Sequence, residues 1–133
     1  MIYLDANFPF IDGFPLLPHL SHNDGKKIDL TLIYENEQGQ QTNLKPSRSG
    51  YGKFVNLQKG EFSQTLFCKE KGYWQYDYPK YLTLGTPNDE LIFSNEGTKQ
   101  LLSSILERDE VGKVFIEQHL KTRMKLSDDR LRF

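Results

Sequence analysis

Apolar and polar residues alternate along residues 28–34, and this pattern predicts a β-strand. Side chains at successive positions of a strand face opposite sides of the sheet. Asp29 is therefore expected near the start of the strand, on its more polar face, together with Thr31 and Ile33. Residues 1–4 predict a further short strand. The proline-containing segment after them is expected to form a loop, because proline cannot continue a ladder or a helix.

The clearest helical pattern covers residues 95–107, where either Ser94 or Asn95 can cap the first turn. Its apolar stripe consists of Leu101, Leu102, Ile105 and Leu106. Residues 113–117 predict another strand, followed by a basic segment over 121–125. The aromatic stretch over 62–81 is compatible with helix or strand.

Taken together, these elements predict an α+β fold with one clear helix against a mainly antiparallel sheet. The chain has 133 residues, which is about the size of one domain. We therefore expect a single domain over residues 1–133.

Charge and cysteine content exclude several function classes. The 17 Lys and Arg residues nearly balance the 18 Asp and Glu residues, so there is no overall attraction to nucleic acid or anionic lipid. Cys68 is the only cysteine, which rules out an internal disulfide and a thiolate-rich metal site. No secretory signal and no apolar run of membrane-spanning length are visible, and nucleic acid and a membrane span are not expected.

The most informative motif is a His-x-x-Gly-x-x-x-Asp run formed by His22, Gly25 and Asp29. Gly25 permits a tight turn after the histidine, and Asp29 opens the predicted strand. A histidine nitrogen and a carboxylate oxygen brought together in this way can bind zinc. The alternative is a polar loop in which His22 and Asp29 only form a hydrogen bond.

At these residues the sequence resembles the LAS group of zinc peptidases, which includes D-Ala-D-Ala dipeptidases and carboxypeptidases, murein endopeptidases and the hedgehog signalling domain. The first motif of that family places a zinc-binding His and Asp before an apolar strand. His22, Gly25 and Asp29 match it, whereas Ser21 lies one residue before the histidine and the family's serine lies two before. The resemblance implies a hedgehog or DD-peptidase-like fold and a zinc cofactor.

The second motif of the family is a His-x-His or Glu-x-x-His on a late strand, which supplies the third zinc ligand and the catalytic base. Residues 1–133 contain neither pattern, and the nearest match is Glu117-Gln118-His119. Glu117 is thus the candidate base and His119 the candidate third ligand, with a surface or capping role as the alternative for His119. The simplest interpretation is a LAS-type domain shortened at its C-terminal end, with its last strand or strands missing.

Two further basic or aromatic features could contact a substrate. Arg48 and Lys53 flank a glycine-containing loop that could bind a carboxylate or a phosphate, although a solvated surface position is the alternative. His19 is a reserve ligand only. The Tyr and Trp residues between 73 and 81 could stack on sugars, or they could belong to the core.

The sequence thus predicts a zinc-dependent, peptidase-like domain related to enzymes that cleave D-amino-acid or murein cross-link amides. Its substrate would be a peptide or peptidoglycan-like molecule, and zinc would bind weakly or not at all with only two ligands. Relatives are often found in the cell envelope, although this sequence shows no export signal. The alternative is a non-catalytic peptide-binding, glycan-binding or structural module on the same fold.

Overall fold

A computed structural model describes residues 2–6, 26–74, 78–81 and 83–133 of the chain. The described residues form seven short strands, three helices and a 3₁₀ turn. The strands are β1 (Tyr3–Ala6), β2 (Ile28–Leu30), β3 (Tyr34–Glu35), β4 (Gln41–Thr42), β5 (Ile92–Phe93), β6 (Val114–Phe115) and β7 (Leu131–Arg132). The helices are α1 (Gln64–Glu70), α2 (Asn95–Leu106) and α3 (Gln118–Arg123), and the 3₁₀ turn is Tyr78–Tyr81.

The α+β class is confirmed, and the expectation of one clear helix was wrong. Within the described residues the strands form three small sheets, of which two are antiparallel: β1 pairs with β2, and β3 lies between β4 and β5. The third sheet joins β6 and β7 in parallel. None of the described helices has the length and apolar character needed to cross a membrane.

The strand predicted over residues 28–34 is divided because its backbone changes partners. Thr31 N donates to Ile2 O over 2.9 Å, which extends the contact with β1. Ile33 N then donates to the buried Thr98 Oγ1 over 3.1 Å, and Ile33 O accepts from Ser94 N over 2.9 Å. The segment therefore leaves the first sheet, bonds to the start of α2 and enters the second sheet at Tyr34.

Helix α2 begins where the sequence predicts. Ser94 is the N-cap, and its Oγ accepts a hydrogen bond from Gly97 N over 3.2 Å. At the other end, the Arg130 guanidinium donates to Arg108 O over 3.1 Å and also to Leu106 O. The bond to Leu106 O satisfies a carbonyl group that the helix end leaves without an intrahelical partner.

Helix α3 overlaps the basic segment over 121–125, for which the sequence predicts no helix. Leu120 and Met124 are buried and pack with Leu102 of α2 in the core cluster. Partly buried apolar residues surround that cluster, namely Leu32, Val55, Phe93, Val114, Ile116 and Leu126. The helix was missed because Lys121, Arg123 and Lys125 interrupt an apolar stripe that is only two residues wide.

Candidate functional site

Of the three residues of the zinc motif, the structure describes only Asp29. Asp29 lies on β2, whereas His22, Gly25 and the reserve ligand His19 lie outside the described residues. The expected approach of the His22 and Asp29 side chains therefore stays a prediction.

The Asp29 carboxylate contacts a tyrosine from another part of the chain. Tyr51 Oη donates a hydrogen bond to Asp29 Oδ2 over 2.8 Å. A hydroxyl bonded to an ionised carboxylate makes a stronger bond than one between neutral groups. The tyrosine therefore favours one orientation of the carboxylate on the strand.

A structured loop holds Tyr51 in place. Ser47 in this loop is 5% exposed, and its Oγ donates to Tyr51 O over 2.7 Å and accepts from Gly50 N over 3.0 Å. Tyr51 N donates to Ser49 Oγ over 3.1 Å. The backbone on both sides of Tyr51 is thus fixed by serine side chains.

Gly50 is required by the same loop. Its φ of +90° lies in the left-handed region, and a Cβ at this position would come within 2.1 Å of Leu4 Cδ2 on β1. Glycine adopts this conformation without strain, and the absence of a Cβ leaves room for the Leu4 side chain. The loop therefore packs directly against the sheet that contains Asp29.

Asp29 and Tyr51 both line a cavity of about 1280 Å³. Its wall is formed by the β2 segment, the loop around Tyr51, the 98–105 side of α2 and residues 110–116. This volume is somewhat above the usual range for small-molecule sites and is large enough for several residues of a peptide. Asp29 is thus one of the residues that line a space large enough for an extended ligand.

The described part of the cavity wall carries more positive than negative side chains. Four lysines line it, Lys26, Lys27, Lys53 and Lys113, against the two acidic residues Asp29 and Glu110. Lys53 Nζ donates to Asn88 O, which fixes its position on the wall.

His119 is buried and is not among the described residues that line the cavity. It is 7% exposed, so the surface role considered for it is wrong. Its Nε2 lies 3.1 Å from Val55 O. Since a carbonyl oxygen can only accept, Nε2 carries the hydrogen. Its Nδ1 faces Glu117 Oε2 at 3.8 Å.

Glu117 is the N-cap residue of α3, although its side chain makes no capping bond. Burial raises the pKa of the Glu117 carboxyl, and the nearby His119 opposes that rise. A raised pKa suits a proton-transfer group. However, the described cavity wall includes neither Glu117 nor His119.

Arg48 is exposed and is also not among the described residues that line the cavity. Its position fits the solvated alternative. Over the described ranges, no group of three or more His, Cys, Asp or Glu side chains is close enough to hold a metal ion. Of the predicted site residues that are described, only Asp29 faces the cavity.

Tyr51 is the site residue that the sequence analysis missed. The glycines at 50 and 52 marked a turn, and the serines at 47 and 49 marked a loop able to bond with its own backbone. No signal in the sequence joined that loop to Asp29, which lies 22 positions away.

Comparisons of this chain with protein-family models, with curated proteins and with solved structures find no match.

Proposed function

We propose that this chain is a zinc-dependent, peptidase-like domain of the LAS type, in which His22 and Asp29 are the first two metal ligands. The observation that carries the proposal is the Asp29 carboxylate, which is oriented by Tyr51 at the edge of a 1280 Å³ cavity. A carboxylate that binds a metal is usually hydrogen-bonded to a further group, as Asp29 is to Tyr51.

The residues present are compatible with zinc. Aspartate oxygen and histidine nitrogen are both ordinary zinc ligands. A carboxylate has about four lone-pair sites, so the hydrogen bond from Tyr51 and a metal bond can coexist on Asp29. In a complete site, the zinc would polarise the scissile carbonyl and lower the pKa of a bound water.

The order of elements supports the finer proposal of a hedgehog or DD-peptidase-like arrangement. The motif leads into β2, and the capped helix α2 precedes the strand β6 along the chain. A helix and a strand in this order resemble the elements that precede the second motif of the LAS family. The substrate that the resemblance implies is a peptide or peptidoglycan-like molecule.

Zinc affinity tests the metal proposal. We expect the 133-residue protein to bind zinc weakly, and Asp29→Asn or His22→Ala to weaken that binding at least tenfold in a chelator competition assay. Asp89→Asn, in the turn before β5, is the matched control and should leave affinity unchanged. Equal affinity in all four proteins would refute the proposed ligands.

Hydrolysis tests the peptidase activity. Residues 1–133 contain neither His-x-His nor Glu-x-x-His, and a general base contributes about 10² to 10⁴ in rate. We therefore expect the 133-residue protein with added zinc to release D-alanine from D-Ala-D-Ala peptides, or to cleave murein cross-links, at background rates. Turnover that Glu117→Gln abolishes would instead identify Glu117 as the base.

A second candidate function is a non-catalytic glycan-binding or peptide-binding module. The observation in its favour is the exposed aromatic surface near α1, where Trp74 is 82% exposed. Exposed aromatic rings can stack on sugars. Retention of the protein on insoluble peptidoglycan that Trp74→Ala abolishes, and that zinc does not affect, would support this function over the peptidase.

A further inference from the structure

We propose that the outer edge of β2, the edge away from β1, binds an acidic, extended segment of a partner protein, which adds to the sheet as a further strand. This interaction surface goes beyond the proposed peptidase function and requires no metal ion. Two observations carry it: the direction of the backbone groups on β2, and the charge of the cavity that this strand lines.

The direction of the Leu30 backbone groups follows from the ladder with β1. Leu30 lies opposite Tyr3, and the next residue, Thr31, donates from its N to Ile2 O over 2.9 Å. In an antiparallel ladder, this bond makes Leu30 and Tyr3 a non-hydrogen-bonded pair, so the N–H and C=O of Leu30 face away from β1. Among the described residues, no strand pairs with β2 on that side. The outer edge therefore has a donor and an acceptor that can bond to an added strand.

A second strand with an outer edge lines the same cavity. The N–H groups of residues 114 and 116 donate to backbone oxygens in and next to β7, each over 2.9 Å. The N–H and C=O of Phe115, which lies between them, therefore face away from β7. Residues 26–32 and 110–116 all line the cavity, which has room for several residues of a peptide. An extended segment bound there would lie beside both strands.

The side chains on the cavity wall indicate the character of the added segment. The described wall carries four lysines against two carboxylates, and it also carries apolar side chains of α2, such as Leu101 and Ile105. Successive side chains of a strand face opposite sides, so a segment of alternating acidic and apolar residues matches both parts of the wall. The lysines disfavour pairing of β2 with a second copy of this chain, because two like-charged edges would then meet.

Amide hydrogen exchange tests the pairing on β2. The probe is a capped peptide of alternating glutamate and valine residues, as long as the 26–32 segment, and EDTA is present so that the result does not depend on zinc. Saturating peptide should slow exchange at the Leu30 amide about 10-fold or more, because this N–H becomes hydrogen-bonded. The Thr31 amide, which already bonds to Ile2 O, is the internal control and should change much less.

Charge variants test the choice of an acidic segment. Lys113→Glu, on the cavity wall, should weaken binding of the fluorescently labelled peptide about 2-fold to 10-fold. Lys59→Glu, at an exposed position outside the described wall, is the matched control and should leave the affinity unchanged. The same peptide with lysine in place of glutamate should not bind.

Several outcomes would overturn the proposal. One is peptide binding that leaves exchange at Leu30 unchanged, and another is no binding below about 1 mM peptide. Exchange at Leu30 that is already slow without peptide would mean that the edge is covered, by a second copy if the protection rises with protein concentration and by this chain itself if it does not. Equal affinity losses in Lys113→Glu and Lys59→Glu would overturn the acidic character of the segment.

Discussion

Arg123 of α3 and Glu61 of the segment before α1 form an ion pair with two hydrogen bonds, from Nε to Oε1 over 2.7 Å and from one terminal nitrogen to Oε2 over 2.5 Å. The same guanidinium also donates to Asn56 O over 3.0 Å. Hydrogen bonding to Arg123, together with the backbone N–H of Gln58, lowers the pKa of Glu61 from 4.5 to about 2. Together with the bond between His119 and Val55 O, this ion pair connects α3 to the segment over 54–61.

This pair makes stability depend on pH in a definite direction. The pKa of Glu61 is lower in the folded protein, so the ionised carboxylate stabilises the fold above about pH 4.5. That contribution is lost as the pH falls toward 2. We expect Glu61→Gln to lower the urea midpoint at pH 7, and the difference from wild type to shrink between pH 5 and pH 2.

The matched control is Glu70→Gln, at an exposed position at the end of α1. It should change the urea midpoint little at either pH. A difference between Glu61→Gln and wild type that is as large at pH 2 as at pH 7 would contradict the role given to the charged pair.

Individual side chains also show how far the sequence could predict the site. Asp29 was identifiable because a short motif carries it, and its place on a strand is confirmed. Tyr51 and Glu61 were not, because their partners are 22 and 62 positions away along the chain. Such pairs depend on how loops pack against one another, and local pattern contains no information on that packing.

At the scale of elements, the helices differ in how well the sequence specified them. Helix α2 has a serine cap and a repeated apolar stripe, and it was predicted nearly to the residue. Helix α3 has six residues, too few for a periodic pattern, and takes its stability from packing in the core. Tertiary contacts also divide the strand predicted over 28–34, since Ile33 N bonds to Thr98 of α2 instead of to a neighbouring strand.

Replacing the capping serine should therefore have different effects on global stability in α2 and in α1. Ser94 is 3% exposed and caps a helix with buried residues, so Ser94→Ala should lower the free energy of unfolding by about 1–2 kcal/mol. Ser63 makes the same bond, to Leu66 N over 3.2 Å, but α1 has no buried residues. Ser63→Ala should leave global stability nearly unchanged.

Urea unfolding measures the first effect, and amide hydrogen exchange measures local fraying. Ser63→Ala should speed exchange within α1 alone. An equal loss of global stability in the two variants would show that α1 belongs to the cooperative core.

At the scale of the whole molecule, the described core is a small cluster in which α2 and α3 meet. The sequence predicted the Leu102 side of it from the stripe of α2, but not the side formed by Leu120 and Met124. Many large apolar side chains of the described residues remain exposed, including Leu66 in α1 and Phe62 just before it. The free energy of unfolding should therefore depend mainly on the few residues of this cluster.

The expectation of one domain over residues 1–133 can be tested through this cluster. Leu102→Ala and Leu120→Ala should each lower the free energy of unfolding by about 2–5 kcal/mol, because each opens a cavity in the core. Leu66→Ala, at a side chain that is 57% exposed, is the control, and it should cost less than about 0.5 kcal/mol. Since Leu102 and Leu120 share the cluster, their double variant should be non-additive.

A single cooperative unit also predicts that both core variants shift one common transition, whether it is followed by far-ultraviolet circular dichroism or by Trp74 fluorescence. Trp74 lies outside the core, at an exposed position after α1. If the fluorescence transition stayed in place while the circular dichroism transition moved, the α1 region would unfold separately from the α2–α3 core. The cavity beside Asp29 draws its wall from β2, the loop over 46–54 and α2, so a core variant that loosens α2 should also weaken the zinc binding proposed for Asp29.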